Sequence, residues 1–137
     1  MKRGQAMQAL VRGLMSPILA LLAIGATHLA AELLRPELQT VITPPVVMPI
    51  YLVVGGWAGW STVRAGGSLA RGVLAGLLLG VLPVALQLIG FGVIAGRDGA
   101  TVLTSGVFGF LALLWGAILG AGIARDEPAA VVTQARR

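Results

Sequence analysis

The chain has 137 residues, of which 57% are hydrophobic and 11% charged, with a net charge of +5 and no cysteine. Soluble domains carry roughly 45–50% apolar and about 25% charged residues, so this composition speaks against a water-exposed globule, and the missing cysteine excludes disulfides, thiolate metal sites and redox thiol chemistry. The ten basic residues lie at the ends of apolar runs rather than on a patch, which argues against nucleic acid as a partner.

The charges divide the chain into four runs. Between Arg12 and Glu32 lie 19 uncharged residues, between Glu37 and Arg64 lie 26, between Arg71 and Arg97 lie 25, and between Asp98 and Arg125 lie 26. About 20 apolar residues in a helix cross a hydrocarbon layer about 30 Å thick. The expected fold is therefore all-α: a single integral membrane four-helix bundle over 1–137, up-down with short loops, its helices at about 13–34, 43–63, 70–95 and 101–124.

Helix one, 13–34, is too long for the core of a signal peptide. Its small residues Gly13, Ser16, Ala20, Ala23, Thr27 and Ala30 follow alternating spacings of three and four. Such a seam lets helix backbones approach closely, and it predicts the packing face. His28 and Glu32 lie four apart on a different face. They read either as a polar pair near the headgroups or as a proton-active or metal-ligating site. A single histidine does not complete an axial pair by itself, so a pigment or haem at His28 would require a partner chain, and no intrinsic cofactor or metal is expected.

Helix two opens with TPPVVMP. Thr43 suits the N-cap, Pro44 the first helical position, and Pro49 predicts a bend. Gly55 and Gly59 repeat at four, while Trp57 and Trp60 precede Arg64 as interface anchors. Helix three carries Gly72, Gly76 and Gly80, again at four, then Pro83 and Gln87 on one face, which predict a static kink. Helix four begins with Thr101, Thr104 and Ser105 as a polar start and carries Gly116 and Gly120. The tail, 125–137, is expected to be exposed and cytoplasmic. Residues 37–64 align without gaps on 98–125, with eight identities in 28 positions. That offset of 61 points to a duplicated hairpin.

Lys2, Arg3, Arg12, Arg64, Arg71, Arg125, Arg136 and Arg137 fall on one side of this topology, and only Arg35 and Arg97 on the other. Basic residues mark the cytoplasmic side, so both termini are expected there. Nine arginines to one lysine and no asparagine suggest a GC-rich bacterial genome, and hence a bacterial inner membrane.

No Walker loop, HExxH or paired carboxylate occurs within the spans, so no enzymatic activity is expected. No carboxylate stands in the middle of helix one and no asparagine is present, which departs from the patterns of small multidrug transporters and small fluoride channels. The expected function is a non-catalytic accessory or structural subunit, meeting lipid and other membrane subunits in a larger complex, for example an energy-transducing one, photosynthetic or respiratory. The alternative is a small oligomeric channel or transporter, with a polar stripe built around His28, Glu32, Gln87 and the threonines.

Overall fold

A computed structural model describes residues 3–35 and 44–126, with only the backbone described at 44–46. Four α-helices make up the fold: α1 (Arg3–Leu34), α2 (Pro44–Arg64), α3 (Leu69–Leu86) and α4 (Gly99–Asp126), with a π-helical segment, Gln87–Ile94, continuing α3. No strand occurs among the described residues. Three stretches are long and apolar enough to cross a membrane: α1, the continuous Leu69–Ile94, and α4. The expected N-cap Thr43 and the tail at 127–137 lie outside the described residues.

The boundaries follow from local chemistry. Helix α1 begins ten residues before the expected start at 13, because no Pro or Gly-rich break separates the polar segment 3–12 from the apolar run and its residues are good helix formers. After α2 the chain stops at Gly66, whose φ of +93° lets Gly66 N–H and Gly67 N–H donate to the carbonyls of Val63 and Thr62 at 3.0 Å each. This arrangement closes the free carbonyls of a helix C-terminus. Ser68 then caps α3, accepting from Arg71 N–H. The cap of α4 is Asp98, whose Oδ2 accepts from Thr101 N–H at 3.1 Å. The expected polar start at Thr101, Thr104 and Ser105 is thus already inside the helix. There Thr104 donates its hydroxyl to the carbonyl of Ala100.

Contacts between α2 and α4 dominate the packing. A Cβ at Gly55 would run into the carbonyl of Leu113, and one at Gly59 into the carbonyl of Ala117. Reciprocally, Gly116 meets the carbonyl of Leu52 and Gly120 that of Gly56. Rising numbers on α2 meet rising numbers on α4, so these two helices run in the same direction with backbones in contact. Only hydrogen fits between them. Helix α3 runs opposite to α4: Gly72 packs on Ala121, Gly76 on Ala117 and Gly80 on Phe110. Leu21, Leu79 and Leu113 are fully buried in the shared core.

Helix α1 is the peripheral element. Its buried positions are Ala9, Gly13, Leu14, Pro17, Leu21 and Glu32, a face that rests on α2 and α3. Ser61 donates its hydroxyl to the carbonyl of Gly13 at 3.1 Å, and Gly25 lies against Leu86. The expected seam is therefore rotated away from the bundle. Of its members only Gly13 is buried; Ala20 is half-buried, while Ser16, Ala23, Thr27 and Ala30 are exposed. Large residues outcompete the small ones for the inner face because Leu14 and Leu21 fill the groove between α2 and α3.

Candidate functional site

One turn arrangement builds the site. Gly96 has φ of +66°, a conformation glycine adopts without steric cost. It folds the chain back so that Arg97 N–H donates to the carbonyl of Phe91 at 2.9 Å. The guanidinium then lies 5.6 Å from the centre of the Phe91 ring, and its Nε reaches Glu32 Oε1 at 2.5 Å. Residues 65 apart in sequence thus form an ion pair between the end of α1 and the start of the turn into α4.

Glu32 is only 7% exposed, and its second oxygen, Oε2, is buried without a hydrogen-bond partner. A buried carboxylate is costly unless paired, and Arg97 is the ion-pair partner of Glu32 among the described residues. His28 sits one turn earlier on α1. Its ring packs against Phe91, with centroids 4.9 Å apart and planes tilted by 56°. To the placement of His28 and Glu32 one turn apart on α1 the structure adds two cross-helix contacts: His28 to Phe91 and Glu32 to Arg97.

The expected kink at Pro83 takes the form of a π-helix. Pro83 is buried and packs on Gly109, and the backbone widens one turn later, at Gln87. Wider π turns are rare and occur frequently at functional sites. Gln87 and Phe91 of this segment lie on one side, where both line a cavity of about 540 Å³. Helix α2 contributes Met48 and Tyr51 to this cavity, α1 contributes His28, and α4 contributes Thr104, Ser105 and Phe108. The described lining comes from the end of the bundle where α1 finishes and α4 begins, and reaches no deeper than Tyr51 and Gly109. Beyond that depth the glycine contacts of α2, α3 and α4 close the interior.

The four polar side chains Tyr51, Gln87, Ser105 and His28 make no hydrogen bond with other described residues, whereas Thr101 donates to Asp98 and Thr104 to Ala100. The cavity wall thus presents unused donors and acceptors beside Phe91 and Phe108. No group of three or more His, Cys, Asp or Glu that could hold a metal ion occurs among the described residues.

The remaining sequence candidates lie elsewhere. Trp57 and Trp60 are exposed on α2, and the Arg64 guanidinium lies 5.3 Å from the Trp60 ring. Gly55, Gly59, Gly116 and Gly120 come together in the α2–α4 contact, while Gly72, Gly76 and Gly80 face α4 from α3. Sequence reasoning placed His28, Glu32 and Gln87 among the polar intramembrane residues. Tyr51, Arg97 and Phe91 were missed as site residues, and the positive-φ potential of Gly96 just before Arg97 was the available signal.

The fold and cavity define a glycine-packed helical bundle of membrane character with a mostly apolar, partly polar pocket at one end. Comparison with known protein families, with curated proteins and with solved structures finds no match to this chain.

Proposed function

We propose that all four helices cross a bacterial inner membrane in up-down order, with both termini cytoplasmic, and that the chain is a non-catalytic subunit docking a larger membrane complex through α1. The supporting observation is the outward seam. Ser16, Ala23, Thr27 and Ala30 are exposed on α1, and the chain's own helices use a different face. Small side chains in a spaced series let a second helix approach to backbone distance in lipid, whereas a helix meeting only lipid has no use for a flattened side.

The chain contains no cysteine, so a single Ala23→Cys variant gives a clean cross-linking probe. In native membranes it should capture a second, different membrane protein. The unmodified chain should migrate with a larger assembly after gentle solubilisation, and Ala23→Leu should release it. A chain that migrates alone, or that cross-links only to itself, would overturn the docking role.

The channel or transporter reading draws on the cavity, whose lining includes His28, Gln87, Thr101 and Thr104 from the expected polar stripe. Against it stands the blind end: the polar lining stops where Gly55, Gly59, Gly116 and Gly120 bring the backbones together. The same cross-linking and migration experiment separates the two readings, because a lone homo-oligomer favours transport.

A further inference from the structure

The geometry points to a binding site: we propose that the cavity at the end of the bundle where α1 finishes and α4 begins holds an uncharged amphiphile with a hydrogen-bonding aromatic head group. This inference is independent of the α1 seam, since Ser16, Ala23 and Ala30 take no part in the cavity.

Three features of the wall define the ligand. Size comes first: about 540 Å³ falls within the roughly 300–1,000 Å³ of small-molecule pockets. A substituted ring with part of an alkyl chain fits that space. Charge comes second. The one guanidinium on the wall, Arg97, is neutralised by Glu32 at 2.5 Å, and Asp98 offsets the positive end of α4 by capping it. Among the described residues of the wall no counter-charge is free of a partner, so burying a charged head group there is costly. An uncharged head group avoids that cost.

Chemistry comes third. Tyr51, Gln87, Ser105 and His28 line the space with hydrogen-bonding groups that nothing else in the described chain uses. His28, Gln87 and Ser105 are half-buried, within reach of a ligand in the cavity, and a ligand that both donates and accepts suits them. The rings of Phe91 and Phe108 stand on the same wall and favour an aromatic head group over a sugar or an amine. Thr101, Thr104 and Phe108 are exposed on α4, which leaves that side as the entrance for a molecule arriving from lipid.

The test uses three probes that share a ring and tail and differ only in the head: para-octylphenol, para-octylbenzoate and octylbenzene. Binding to the full chain in nanodiscs is measured by titration calorimetry, with empty discs subtracted. Para-octylphenol should bind saturably, one per chain and about tenfold tighter than octylbenzene, the gain expected from one to two net hydrogen bonds. It should also outcompete para-octylbenzoate. Ser105→Phe, which fills the cavity, and Gln87→Leu, which removes a hydrogen-bonding group at similar volume, should each weaken it about tenfold or more. Tighter binding of the benzoate would overturn the charge argument and assign the site to anions. Equal binding of octylbenzene would show that the polar wall serves only water. Unchanged binding in a folded Gln87→Leu protein would place the ligand outside this cavity.

Discussion

Thr62 is fully buried on α2, and its hydroxyl has no hydrogen-bond partner because the backbone of Gly13 closes over it. An unsatisfied buried hydroxyl costs about 1–3 kcal/mol. Thr62→Val keeps the shape and removes that cost, so it should raise the midpoint of thermal unfolding in detergent rather than lower it. Glu32 behaves in the opposite way. Its ion-pair partner among the described residues is Arg97, and removing that partner leaves a buried carboxylate uncompensated. Arg97→Gln should therefore destabilise by about 3–5 kcal/mol, while the double change Glu32→Gln with Arg97→Gln should recover most of the loss. A double-mutant cycle on unfolding midpoints measures this directly. An additive result would show that the pair is not coupled. At this scale the sequence places Glu32 and His28 on one face of a helix, yet it does not reveal what they face. The partner arrives through a turn at Gly96, and a long-range contact of that kind leaves no periodic trace.

The contact between α2 and α4 explains why the two halves of the chain look alike. Gly55 meets Leu113 and Gly116 meets Leu52; Gly59 meets Ala117 and Gly120 meets Gly56. Each pair maps onto its reciprocal when 61 is added or subtracted, the same offset that aligns 37–64 with 98–125. The identities Leu52/Leu113, Gly55/Gly116 and Gly59/Gly120 are thus the residues that touch, as in a two-fold interface where each partner presents the same patch. Gly120→Ala would drive a methyl group into the carbonyl of Gly56, and backbone on both sides leaves it no room to relax. Substantial loss of folded protein is expected, of the order of 1–3 kcal/mol or more for overpacking. Gly56→Ala is the control, because its methyl would lie 3.5 Å from the Gly116 carbonyl, an ordinary contact. It should be neutral or slightly stabilising by helix propensity. Unfolding midpoints of the two variants should separate clearly, and equal effects would mean that this interface is not the tight one. The four-residue glycine spacing made this interface readable beforehand. On α1 the same kind of spacing pointed to a face that the bundle leaves outside, because a small-residue seam specifies close approach without specifying whose helix approaches.

The pairing of helices constrains how the whole chain threads a membrane. His28 meets Phe91 and Glu32 meets Arg97, while Gly25 meets Leu86, so α1 and the Leu69–Ile94 stretch run in the same direction. The chain must return between them, and α2 is the only element available. Its 21 residues at about 1.5 Å per residue reach about 31 Å, which matches a hydrocarbon layer about 30 Å thick. On the proposed four-crossing topology, α2 crosses despite three prolines at its start and although it is the shortest of the four spans. The proposed topology would put the 65–68 turn with the basic termini and the 95–98 turn, with the cavity, on the opposite side. Single cysteines in this cysteine-free chain test it: Ala65→Cys and Gly99→Cys are both at exposed positions, and Gly99 has nothing within 4 Å of an added side chain. A membrane-impermeant maleimide added to spheroplasts should label the Gly99→Cys chain at once and the Ala65→Cys chain only after permeabilisation. Labelling of both from one side would mean that the segment between them does not cross the membrane. The reverse pattern would invert the orientation that the eight-to-two division of basic residues implies, and would turn the cavity toward the cytoplasm.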